Sequence, residues 1–124
     1  MAPLFRIGAI LAFLAVALGA FAAHGLESHY GADELHTFEV GVRYQMYHAL
    51  AILVLGFLGR RGAPPAFRRA AWAFVAGTVL FSGSLYVLAL SGITAFGMVT
   101  PVGGVLFLVG WLILILHSPA EPVP

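Results

Sequence analysis

Neither cysteine nor lysine occurs in this 124-residue chain, and charge of either sign is scarce. Without cysteine there is no disulfide, no thiolate nucleophile and no thiolate metal ligand. Without lysine, Schiff-base chemistry is excluded. The six basic residues are therefore all arginine, set against five acids, and charged residues make up 9% of the chain. Hydrophobic residues make up 61%, and the mean hydropathy is +1.00. That is too apolar for the surface of a soluble domain of this size, so the exterior is expected to face lipid. Nucleic acid is not an expected partner, because no basic face remains once the arginines are assigned to the membrane boundary.

What is present is a series of long hydrophobic runs. The first span is expected over about 5–24, with Arg6 at its start and His24 at its end. A cleaved signal peptide is the competing reading of this stretch, disfavoured because the run is longer than a usual signal core. Residues 25–43 form the one sustained polar region, and about 33–43 of it read as an amphipathic helix with Leu35, Phe38 and Val42 on one face. Glu39 and Arg43 stand four apart, the favoured order for a helical ion pair. The second span is expected over about 44–59. A proline-broken turn then carries paired arginines, Arg60, Arg61, Arg68 and Arg69.

From Ala70 to Leu116 no side chain is charged. One helix of that length would measure roughly 70 Å, more than twice the hydrocarbon thickness. The run must fold back, and residues 91–97 supply the turn. The third and fourth spans are thus expected over about 70–90 and 100–116. The fold class is all-α integral membrane, a four-helix bundle with a short amphipathic helix between spans one and two. It forms a single domain over 1–117, followed by a proline-rich tail, 118–124, expected to be disordered. Gly77, Gly83, Gly103, Gly104 and Gly110 read as close helix-packing positions.

Short arginine-rich loops stay cytoplasmic, which puts residues 60–69 inside and, by counting spans, both termini inside. Helical rise then sets the height of each polar residue. His24, Tyr44, Gln45, His48, Ser82, Ser84, Tyr86 and Thr100 all fall in the outer half of the bilayer, while the inner half is aliphatic and aromatic. Polar groups at such depth turn inward and bond to one another. They form either interhelical fastenings or an outward-facing polar pocket for a lipid headgroup, small solute or partner protein. No metal or other cofactor is expected, since two histidines do not make a zinc site. The serines lie in no nucleophile elbow, and no carboxylate stands near them in the membrane, so an enzyme is not expected. The alternatives are a transporter or channel, which a chain this short could form only as a homo-oligomer, and a metal-dependent intramembrane enzyme.

Four stretches in order resemble one family: residues 19–26, GAFAAHGL; residues 44–50, YQMYHAL; residues 81–86, FSGSLY; and residues 100–104, TPVGG. Together they resemble the domain-of-unknown-function-423 family of small bacterial inner-membrane proteins, to which animal transmembrane protein 256 is similar. Ala22 stands where that pattern has glycine. The resemblance implies four spans, an uncleaved first helix and a bacterial inner-membrane location, and it implies no activity.

Overall fold

The computed structural model describes residues 2–117. Among them are four long helices and no strand: α1 (Ala2–Phe21), α2 (Ala32–Arg60), α3 (Pro65–Ser91) and α4 (Thr100–Leu116). The expected disordered tail, 118–124, lies outside the described residues. Four helical stretches, Pro3–Leu26, Ala32–Arg60, Pro65–Ser91 and Thr94–Leu116, are long and apolar enough to cross a membrane. The chain runs up and down, each helix packing antiparallel on the next. The central pair is α2 and α3, with α1 packed on α2 and α4 on α3.

The turns follow from local chemistry. α1 widens into a π-helical turn, Ala22–Leu26, before the polar connection. Pro65 opens α3, where a missing N–H does no harm. Gly92 ends it in the left-handed conformation (φ 71°), its N–H bonded to the Leu88 carbonyl. A 3₁₀ turn, Thr94–Met98, then leads to α4, with Pro101 in its first turn.

Two boundaries differ from expectation. The amphipathic segment 33–43 is helical, but it is the first three turns of α2 rather than a separate helix lying on the surface. No proline interrupts the junction, and its apolar face has a protein partner: Phe38 is buried against Ala22, Leu26 and Ala89 and packs on the Tyr86 ring at 4.8 Å. With 29 residues α2 measures about 43 Å, so those turns rise beyond the hydrocarbon along the same axis. Secondly, Arg68 and Arg69 belong to the start of α3, and the turn itself is only residues 61–64. The expected Glu39–Arg43 ion pair does not form; no salt bridge links described residues.

The larger apolar core lies toward the arginine turn, where Leu4, Ile52, Leu55, Phe67, Ala70, Ala71, Phe74 and Phe107 meet. Large apolar side chains such as Phe13, Leu108 and Ile115 cover the outside, as a lipid-facing surface requires.

Candidate functional site

The intramembrane polar side chains form separate fastenings, and every pair of neighbouring helices receives at least one. Between α1, α2 and α3 the hub is Gln45, only 4% exposed. Its amide N–H donates to the Leu11 carbonyl at 2.8 Å, and its Oε1 accepts from the Tyr86 hydroxyl at 2.6 Å. Between α2 and α3, Ser82 donates to the Gly41 carbonyl at 2.7 Å. Gly41 permits this approach, since a β-carbon there would stand 2.7 Å from the Tyr86 ring.

Between α3 and α4, the Ser84 and Thr100 hydroxyl oxygens lie 2.6 Å apart, and Ser84 Oγ lies 2.9 Å from the Phe81 carbonyl. One proton assignment satisfies both contacts: Thr100 donates to Ser84, and Ser84 donates to Phe81.

The fourth fastening joins α2 to α4 and fixes the state of His48. Trp111 Nε1–H can only donate, and it lies 3.1 Å from His48 Nε2, so that nitrogen is the acceptor. The Tyr44 carbonyl can only accept, and it lies 2.7 Å from Nδ1, which therefore carries the proton. His48 is a neutral Nδ1–H imidazole with both nitrogens in use. Its ring stacks on Phe107 at 3.6 Å with 6° between planes, and meets Phe74 edge-on at 5.2 Å. Trp111→Phe should lower stability by about 1 kcal/mol by leaving Nε2 without a donor, whereas Trp72→Phe, at a ring just as exposed but with no hydrogen bond among the described residues, should change little. Unfolding both variants in mixed micelles checks this; equal losses would count against the His48 assignment.

The expectation that the eight outer polar residues all turn inward and bond to one another is thus corrected at two of them. His24 sits exposed on the π-helical turn, with no hydrogen bond to join it to the others. Tyr44 contributes its backbone carbonyl and a half-exposed ring packed on Phe81 at 4.9 Å. Gln45, His48, Ser82, Ser84, Tyr86 and Thr100 are all engaged, though in different pairings. Sequence alone neither pairs Trp111 with His48 nor marks the backbone carbonyls that accept four of these seven bonds. The buried Thr78 hydroxyl has no partner among the described residues. Nor, among them, do three or more His, Asp or Glu side chains gather as metal ligands would.

The two ends of the bundle differ. At one end, Arg61 lies over the Phe57 ring at 5.8 Å, with Arg60 before it and Arg68 and Arg69 exposed on α3. At the other, a notch of about 200 Å³ is lined by Gly19, Glu39, Val42 and Arg43.

Residues 18–104 match the family model described as Protein of unknown function (DUF423). The chain is 45% identical over 113 residues to the UPF0382 membrane protein YwdK of Bacillus subtilis, covering 90% of this chain and 92% of that one. It is 46% identical over 112 residues to a UPF0382 membrane protein of Staphylococcus saprophyticus, covering 90% and 92%. To the UPF0382 inner membrane protein YgdD of Escherichia coli K12 it is 47% identical over 110 residues, covering 89% and 84%. No solved structure matches it. With the family model spanning most of the bundle and relatives aligned nearly end to end, the chain belongs to the DUF423 family of membrane proteins.

Proposed function

We propose that the chain is a non-enzymatic, multi-pass protein of the bacterial inner membrane with both termini cytoplasmic. It binds a lipid headgroup, a small solute or a partner protein at the end of the bundle away from the arginine turn. The observation that carries the binding reading is the notch beside Gly19, where Glu39 and Arg43 line one cavity without pairing to each other. A carboxylate and a guanidinium side by side, with no ion-pair partner among the described residues, suit a ligand bearing both charges. The intramembrane hydroxyls and imidazole favour fastening over catalysis, because His48 uses both nitrogens and Ser82 and Ser84 already bond within the bundle. The arginine-rich turn supports the orientation.

The absence of cysteine makes the orientation directly testable. Glu34→Cys should react with a membrane-impermeant maleimide in intact cells, and Gly62→Cys only after permeabilisation; the reverse pattern overturns the topology. For the binding reading, headgroup analogues and small zwitterions are screened for thermal stabilisation. A compound that protects the parent but not a Glu39→Gln/Arg43→Gln variant supports the notch. If no compound protects the parent, the outer polar groups are fastenings only.

A further inference from the structure

At the opposite end of the α1–α2 hairpin, Arg6 and Arg60 come together from 54 positions apart. They line a cavity of about 410 Å³ whose remaining walls are Pro3, Phe5, Ile7 and Ile10. From this geometry we propose that the cavity binds the phosphate of an anionic phospholipid, with Arg6 and Arg60 as the phosphate ligands and Ile7 and Ile10 bordering its acyl chain. This site is separate from the notch and does not depend on it.

Three observations carry the assignment. First, nothing among the described residues compensates the charge: the acids there, Glu27, Asp33, Glu34 and Glu39, all lie toward the other end of the hairpin, and among those residues neither Arg6 nor Arg60 has an ion-pair partner. Two guanidiniums facing one cavity repel each other unless an anion sits between them, and a phosphate accepts hydrogen bonds from both. Second, the cavity is amphiphilic along the helix axis. Arg6 is at the first turns of α1 and Arg60 at the last residue of α2, where a headgroup lies, while Ile10 is one turn deeper and 50% exposed to the bilayer. A free phosphate has no use for that apolar wall; a lipid has. Third, the neighbouring cation is otherwise occupied, since Arg61 turns to the Phe57 ring. Arg68 and Arg69 stand on α3 and do not line the cavity.

The test uses the full chain purified in nanodiscs of phosphatidylcholine doped with phosphatidylglycerol, with retained lipid read by native mass spectrometry. The parent should retain phosphatidylglycerol over phosphatidylcholine. Arg6→Gln/Arg60→Gln should reduce that retention about 30-fold, because two charge-assisted guanidinium–phosphate contacts are lost. Arg68→Gln/Arg69→Gln, of equal charge change but outside the cavity, removes only a screened longer-range attraction and should reduce it about threefold or less. Retention that falls equally in both double variants would show a general cationic collar and overturn the site. So would undiminished retention in Arg6→Gln/Arg60→Gln. Inorganic phosphate at millimolar concentration distinguishes the sources: if it displaces the lipid, the cavity is a phosphate site without lipid recognition and the proposal fails. Should the glutamine variant not fold, Arg6→Lys/Arg60→Lys keeps the charge but loses the fork. It should retain an intermediate amount, and parent-like retention would overturn the two-guanidinium geometry.

Discussion

Gly56→Ala should destabilise the protein by about 2 to 3 kcal/mol, and Gly83→Ala, the same substitution one hairpin later, should cost nothing. A β-carbon at Gly56 would lie 2.6 Å from the Phe5 backbone nitrogen and 2.9 Å from its Cα. Backbone cannot swing aside as a side chain does, so α1 must move away from α2 as a whole. The approach is reciprocal: a β-carbon at Gly8 would stand 2.8 Å from the Leu53 nitrogen. In the second hairpin Gly103 meets the Phe81 backbone in the same way, and Gly77 meets the Phe107 ring. Around Gly83 nothing lies within 4 Å, so a methyl there only removes the entropic disadvantage of a helical glycine, a gain of roughly 0.5 to 1 kcal/mol. Detergent titration of the three alanine variants, Gly56, Gly103 and Gly83, gives the comparison. Equal losses at Gly56 and Gly83 would mean that helix contact at these glycines does not hold the bundle together.

This contrast shows where sequence reasoning stops. The spans were legible because each is an uninterrupted apolar run, and the turn near Gly92 because 47 uncharged residues cannot form one helix across a bilayer. Glycine identity, however, does not carry a facing. Gly77, Gly83 and Gly103 read alike in sequence, and only the crossing geometry separates the glycine that touches nothing from the two that set interhelical distance. The polar residues pose the same problem. A rise of 1.5 Å per residue places His24 and His48 at definite heights, but height does not say which way a side chain points. His48 faces α4 and finds Trp111; His24 faces outward from the π-helical turn. The acceptors at Leu11, Gly41 and Tyr44 are backbone carbonyls, present at every residue and invisible as a pattern. Nor could the amphipathic stretch 33–43 be told from a surface helix. Its apolar stripe fits a membrane interface and a protein groove equally well, and it is the contact of Phe38 with Tyr86 that decides.

Gln45→Leu should cost about 2 kcal/mol, since it removes two hydrogen bonds, each worth roughly 0.6 to 1.7 kcal/mol inside a membrane. The bond to Leu11 ties α1 to α2, and the bond from Tyr86 ties α2 to α3, so one side chain fastens three helices. Tyr86→Phe breaks only the second and should cost about 1 kcal/mol. The double variant should lose less than the two together, because either change alone strands its partner's polar atom in a buried, apolar setting. Thr78 supplies a contrast of opposite sign. The antiparallel register that sets Ser82 against Gly41 brings Thr78, one turn on, to the level of Gln45, yet its hydroxyl is buried without a partner among the described residues. Thr78→Val should therefore raise stability by about 1 kcal/mol. Additive losses from Gln45→Leu and Tyr86→Phe would show that the two side chains do not act as one fastening. A stability gain from Gln45→Leu would go further. It would mean that this amide is kept at a cost to the fold, as a group reserved for a ligand is, and the centre of the bundle would then be the binding site rather than its frame.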